Sequence, residues 1–107
     1  MIQEIQKQLA ELIQENHRGS TALFEAEKAL AEAEYDLDLA EQKAYIKAQG
    51  TVRDREAIAR LESADLRLQR DLKKAELNRI KQRIRSIETA SVVLSTQAKL
   101  IGQESRL

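Results

Sequence analysis

The sequence predicts an all-α protein: an antiparallel helical hairpin or coiled coil with a short N-terminal helix, one very long C-terminal helix and an oligomeric state. Three observations point there. The 107 residues include no proline and only three glycines, so almost nothing interrupts a helix. Ala, Leu, Ile, Glu, Gln, Lys and Arg dominate, the usage of long helices and coiled coils. Apolar residues recur at steps of three and four along most of the chain. One phenylalanine and two tyrosines are its only aromatics, which suits narrow seams between helices better than a thick core.

Taken in order, Ile2, Ile5, Leu9, Leu12 and Ile13 place a first amphipathic helix at 2–18. Gly19-Ser20-Thr21 reads as its end, with Ser20 or Thr21 able to cap the next helix, 21–49. That helix carries a heptad at Leu23, Ala26, Leu30, Ala33, Leu37, Ala40 and Ala44. Alternating large and small residues let a partner helix approach closely. Phe24, Tyr35, Leu39 and Ile46 form a second, weaker stripe, and two stripes imply two neighbours. Gln49-Gly50-Thr51 marks a reversal. Gly50 suits a left-handed residue after a helix, and Thr51 with Asp54 makes a capping box.

The long helix, 52–105, would span about 80 Å at a rise of roughly 1.5 Å per residue and must lie against other helices. Its first seam reads Ala57, Leu61, Ala64, Leu68, Leu72 and Ala75; a second reads Leu77, Ile80, Ile84, Ile87, Ser91, Leu94, Ala98 and Ile101. The slip between them is a stutter that turns the two halves toward different partners. Val92, Val93, Leu94, Leu100 and Ile101 widen the apolar band beyond what one short helix covers. Ile84, Ile87, Val93, Leu94, Leu100 and Ile101 are therefore the candidate oligomer contacts. Residues 1–107 read as a single helical domain.

Little in the chain points to catalysis. It has no cysteine, and its single histidine, His17, reads as a solvated residue at a helix C-terminus. Glu27, Glu34 and Glu41 are seven apart, the spacing of a solvated helix face rather than of a metal site. No glycine-rich phosphate loop is present. The expectation is a non-enzymatic protein with no metal and no cofactor. No apolar run reaches the length of a membrane span and Met1-Ile2-Gln3-Glu4 does not open a signal peptide, so a soluble, cytoplasmic protein is expected.

Eighteen bases balance eighteen acids, so net charge identifies no partner, but the distribution is uneven. Residues 21–48 hold seven acids and three bases; residues 53–85 hold eleven bases and six acids. Arg53, Arg60, Arg67, Lys74 and Lys81 recur every seven residues on one helix side, with Arg70 and Arg85 beside them. Lys43, Lys47 and Arg55 join Arg53 near the turn, where Tyr45 could stack on a base or simply pack. In one reading the ladder pairs with the acids of helix 21–49 as flanking charges do in coiled coils. In the other, with Leu61 and Leu68 at heptad position a, the ladder falls at g while Glu27, Glu34 and Glu41 fall at e. The two then miss each other, which leaves Lys43, Lys47, Arg53, Arg55, Arg60, Arg67, Arg70, Lys74 and Lys81 for a polyanion.

The run from Ala40 through Lys43, Tyr45, Lys47, Gly50, Thr51 and Arg55 to Ala57 combines a Lys/Ala/Tyr helix end, a glycine turn and a basic helix. A Ser- and Ile/Leu-rich segment follows from Ile84. Over about residues 22–105 this layout resembles small helical phage proteins, in particular the UvsY-type recombination mediators. Those proteins carry a Lys-Ala-Arg-Leu motif before the turn, where this chain has Gln42-Lys43-Ala44-Tyr45, so only Lys43 and Lys47 match in kind. The resemblance implies an oligomer that binds single-stranded DNA and helps load a recombinase, with a recombinase or single-strand-binding protein as further partner. It places the chain in the host cytoplasm. The sequence-based expectation is therefore a non-enzymatic, oligomeric single-stranded-DNA-binding protein assisting phage homologous recombination. The alternative is a structural or interaction coiled-coil protein: an adaptor, a phage inhibitor of a host protein, or a secreted helical hairpin. Ala48-Gln49-Gly50 lacks the Trp-x-Gly turn of the WXG-type secreted proteins.

Overall fold

The computed structural model describes residues 1–106, with side chains described through Gln103. It is all-helical: α1 (Ile2–Lys47), α2 (Val52–Glu62) and α3 (Ala64–Arg106). Two compact units are present. One joins Met1–Phe24 to the stretch from Arg79 onward; the other is Glu25–Asn78. In each, α1 runs antiparallel to the later part of the chain.

The expected break at Gly19-Ser20-Thr21 does not occur, and helices 2–18 and 21–49 are one helix, α1. The hydroxyls that could have capped a new helix turn back into the old one. Ser20 Oγ donates to the Asn16 carbonyl at 3.2 Å and Thr21 Oγ1 to that of His17 at 3.4 Å. Gly19 serves packing instead of chain reversal: a Cβ there would sit 3.1 Å from Ile84 Cγ1, closer than most methyls approach a neighbour. His17 is thus an exposed residue within a helix, not at its end.

The Gly50 reversal forms as its chemistry requires. Gly50 has φ +115, a region that only glycine occupies without strain. Thr51 Oγ1 accepts from the Asp54 N–H at 3.2 Å, and Asp54 Oδ2 accepts from the Thr51 N–H at 3.3 Å, completing the capping box. Arg55 then reaches back, donating from Nε and Nη2 to the Tyr45 carbonyl at 3.2 and 3.1 Å. Its guanidinium lies 4.3 Å from the Tyr45 ring centroid.

The long helix expected over 52–105 is interrupted once, at Ser63, by a single residue with φ -95 and ψ 9. Ser63 is 1% exposed, and its hydroxyl donates to the Ala59 carbonyl at 2.7 Å. Such back-bonding competes with the helical ladder and bends it. No glycine or proline signals this site.

The seam of α1 matches the sequence reading: Leu23, Ala26, Leu30, Ala33, Leu37, Ala40 and Ala44 are all buried or half-buried. So does the later stripe of α3, where Leu77 and Ile87 are buried and Ile80, Ile84, Ser91, Leu94, Ala98 and Ile101 half-buried. The stripe between Ala57 and Ala75 does not. All six of its residues are exposed, and the covered positions are Ala59, Ser63, Leu66, Arg70, Lys73 and Leu77. From Ala59 to Ile101 these covered positions alternate steps of four and three, so there is no stutter. The predicted seam was displaced by two residues, which is about 200° around a helix. The turn explains the choice: the Thr51 cap and the Arg55–Tyr45 clasp set the rotation of α2, and small Ala59 and Ser63 meet the alanine-rich side of α1.

Gly50→Ala should lower stability by about 1–3 kcal/mol in a urea titration, since alanine cannot hold that φ without strain. Arg70→Leu, which places an apolar side chain in a seam position, should raise it by roughly 1 kcal/mol. Destabilisation by Arg70→Leu would mean that Arg70 is held for its charge.

Candidate interaction surface

With the seam assigned from burial, Leu30 and Leu37 stand at a in α1, and Ser63, Arg70 and Leu77 at a in the returning strand of the hairpin. The basic ladder then falls at e, not g, and Glu27, Glu34 and Glu41 also fall at e. In an antiparallel pair e faces e, so the two ladders lie along the same side of the seam. Within Glu25–Asn78 the meeting is direct: Arg67 Nη2 lies 2.7 Å from Glu41 Oε1. The same guanidinium donates to Ser63 Oγ at 3.2 Å and to the Arg60 carbonyl at 3.3 Å. One charged pair thus closes over the buried serine at the helix interruption. Glu34 and Lys74 occupy the next e positions one heptad away.

This removes the argument that left the ladder to a polyanion, and it disperses the nine predicted nucleic-acid contacts. Arg67 is engaged by Glu41, and Arg55 by Tyr45. Arg70 is half-buried in the seam with Nε 2.8 Å from Asp71 Oδ1. Lys43, Lys47, Arg53, Arg60 and Lys74 are exposed, but Lys43 lies at g and Lys47 at d while the other three lie at e. Lys81 is exposed in the other unit.

The candidate oligomer contacts divide similarly. Ile87 is buried, and Ile84, Leu94 and Ile101 are half-buried on the seam facing the N-terminal part of α1. Val93 and Leu100, with Val92, remain outward. Arg83 Nη2 reaches Glu15 Oε2 at 3.3 Å across that unit.

The surface that stands out is the stripe misread as a seam. Leu61 is 78%, Leu68 56% and Leu72 54% exposed, with Ala57, Ala64 and Ala75 between them and Ile58 alongside. The hairpin spends its own seam on Ser63, Arg70 and Lys73 while this leucine row points away from α1. On the opposite outer face, α1 presents Tyr35 at 67% and Ile46 at 74% exposure, with Leu39 beside them. Next to Ile46, an open groove of about 460 Å³ between α1 and α2 is lined by Asp38, Glu41, Tyr45, Glu56, Ala59 and Arg60, among others.

Among the described residues no group of three or more His, Asp or Glu side chains is placed to hold a metal ion, and no helix is long and apolar enough to cross a membrane. No protein-family model, curated protein or solved structure matches the chain. The likeness to UvsY-type mediators therefore rests on sequence layout alone.

A double-mutant cycle with Glu41→Gln and Arg67→Gln should return a coupling of about 0.5–1 kcal/mol that shrinks as salt is raised, as expected for a partly exposed pair. Zero coupling in low salt would show that the two side chains do not clamp the hairpin.

Proposed function

We propose that the protein is a non-catalytic interaction protein that works by offering a helical apolar face to another helix. One observation carries this reading: the row Leu61, Leu68 and Leu72 is outward while Arg70 and Lys73 occupy the hairpin's seam. Intramolecular stability alone would favour the reverse, because leucine gains and arginine loses by burial. A contiguous exposed apolar stripe flanked by charge is the usual mark of a binding surface. The reading corresponds to the coiled-coil alternative drawn from the sequence. The single-strand-binding reading no longer has the uncompensated ladder as its support, although Arg53, Arg60 and Lys74 keep exposed charge.

Two variants separate these readings. Leu61→Gln, Leu68→Gln and Leu72→Gln together keep good helix formers at exposed sites, so helicity by circular dichroism should stay at the wild-type level. That triple should lose binding of the apolar dye ANS, measured at a concentration where the wild-type chain is monomeric. Arg53→Gln, Arg60→Gln and Lys74→Gln together should leave dye binding unchanged. The reading fails if the leucine triple alters neither dye binding nor sedimentation. A rise in single-stranded oligonucleotide anisotropy at low salt, abolished by the cation triple and kept by the leucine triple, would favour the nucleic-acid reading instead.

A further inference from the structure

We infer that the outward face of α3 over residues 79–89 is a second binding surface, separate from the leucine row, and that it takes duplex DNA by lying as one helix in the major groove. The basic excess of the chain is concentrated here. Of the eleven bases and six acids in residues 53–85, seven bases and all six acids lie in 53–76. Arg79, Lys81, Arg83 and Arg85 are what remains, and no acid follows until Glu88. All four cations are exposed. Among the described residues Arg79, Lys81 and Arg85 form no ion pair, and Arg83 pairs with Glu15 at 3.3 Å. An exposed pair of that kind contributes little and exchanges readily for a phosphate.

Helix position sorts these side chains. With Leu77 at a, Gln82 and Thr89 stand at f, Arg79 and Ser86 at c, and Arg85 at b, the positions turned away from α1. Lys81 at e and Arg83 at g stand at the two edges of that face. Ser86 Oγ donates to the Gln82 carbonyl at 3.1 Å and Thr89 Oγ1 to the Arg85 carbonyl at 3.0 Å, so both oxygens are left to accept. The nearby carboxylates lie off the face: Glu88 at e, Glu15 at g of α1, and Glu4 and Glu11 at c of α1, on the far side of the seam. From Arg79 to Thr89 the outward positions therefore carry cations, an amide and hydroxyls, with no carboxylate and no apolar side chain. Farther along the same helix they carry Val92, Val93 and Leu100 instead.

This set of groups matches the edges of base pairs. Arginine donates two hydrogen bonds to O6 and N7 of guanine, glutamine pairs with N6 and N7 of adenine, and a hydroxyl oxygen accepts from an amino group. The edge cations fit the phosphates that wall the groove on either side. A helix roughly 10–12 Å across fills a major groove about 12 Å wide. Residues 79–89 run about 15 Å, roughly four base pairs at 3.4 Å each. Other occupants fit less well. Single strands are held on aromatic platforms, and this face has no aromatic residue. Duplex RNA buries its base edges in a deep, narrow major groove that side chains do not read. A membrane surface calls for bulky apolar side chains beside the cations, and none stands outward between Arg79 and Thr89.

The test titrates the full chain into a labelled random-sequence DNA duplex and follows anisotropy. Binding should appear at low salt, with log K falling against log salt at a slope of about −2 for two phosphate contacts. Lys81→Gln should reduce that slope by about 0.9 and weaken every duplex alike. Arg79→Gln with Arg85→Gln should weaken binding roughly tenfold or more and abolish protection of guanine N7 from dimethyl sulfate, a probe of the major groove. These positions are exposed and glutamine is a good helix former, so helicity should stay at the wild-type level. The Leu61/Leu68/Leu72 triple and the Arg53/Arg60/Lys74 triple should bind the duplex as wild type does, so duplex binding and the leucine surface are tested separately. A single-stranded oligonucleotide or an RNA duplex bound more tightly than duplex DNA would overturn the groove assignment. Anionic phospholipid vesicles that bind the chain while duplex DNA does not would make the face a membrane site. Loss of duplex binding in the Arg53/Arg60/Lys74 triple, with the Arg79/Arg85 variant unaffected, would return the contacts to the ladder. No rise in anisotropy even at low salt would end the DNA assignment altogether.

Discussion

The rotation of α2 about its own axis, set at the Gly50 turn, decides which residues of Glu25–Asn78 are core and which are surface. Each residue of error would turn the helix by roughly 100°. Gly50 supplies the backbone geometry, Thr51 and Asp54 cap the start of α2, and Arg55 ties α2 to the last turn of α1 through the Tyr45 carbonyl. Once that rotation is fixed, Ala59 and Ser63 face α1, the basic ladder falls at e, and Arg67 meets Glu41. The outward leucine row follows from the same rotation.

Alanine at the seam gives this hairpin close approach at the expense of apolar area. Ala26, Ala44 and Ala59 are among its few buried side chains. Arg70 and Lys73 lie along the seam with their charged ends out, Arg70 at Asp71 and Lys73 Nζ 3.9 Å from Glu76 Oε2. Such a seam holds two helices together without much surplus, and the larger side chains are left for contacts beyond the chain.

The parts of the fold legible in the sequence were those with one apolar stripe and no rival. Leu23 to Ala44, the glycine turn with its capping box, and Leu77 to Ile101 each had a single 3–4 pattern and were read in the right register. Between Ala57 and Ala75 two stripes compete. Pattern reading took the more hydrophobic one, whereas the turn selects the other. Gly19 and Ser63 escape pattern reading for a related reason. A glycine in a helix can mark an end or a close approach, and a serine can cap or bend; the neighbour decides, here Ile84 for Gly19 and the Ala59 carbonyl with Arg67 for Ser63. The cations were found by spacing alone, but their use depended on a register the spacing could not supply.

The Arg55–Tyr45 clasp also bears on the order in which the chain acquires structure. Its two ends are ten residues apart, while Glu41 and Arg67 are separated by 26 and Glu15 and Arg83 by 68. Closing the shortest loop costs least chain entropy, and each contact already made shortens the loop that the next must close. A hairpin of this kind zips outward from its turn, with a low contact order near Gly50 and long-range pairs added late. The residues that choose the register are thus the first to meet, before either leucine row or basic ladder has a neighbour to compete for.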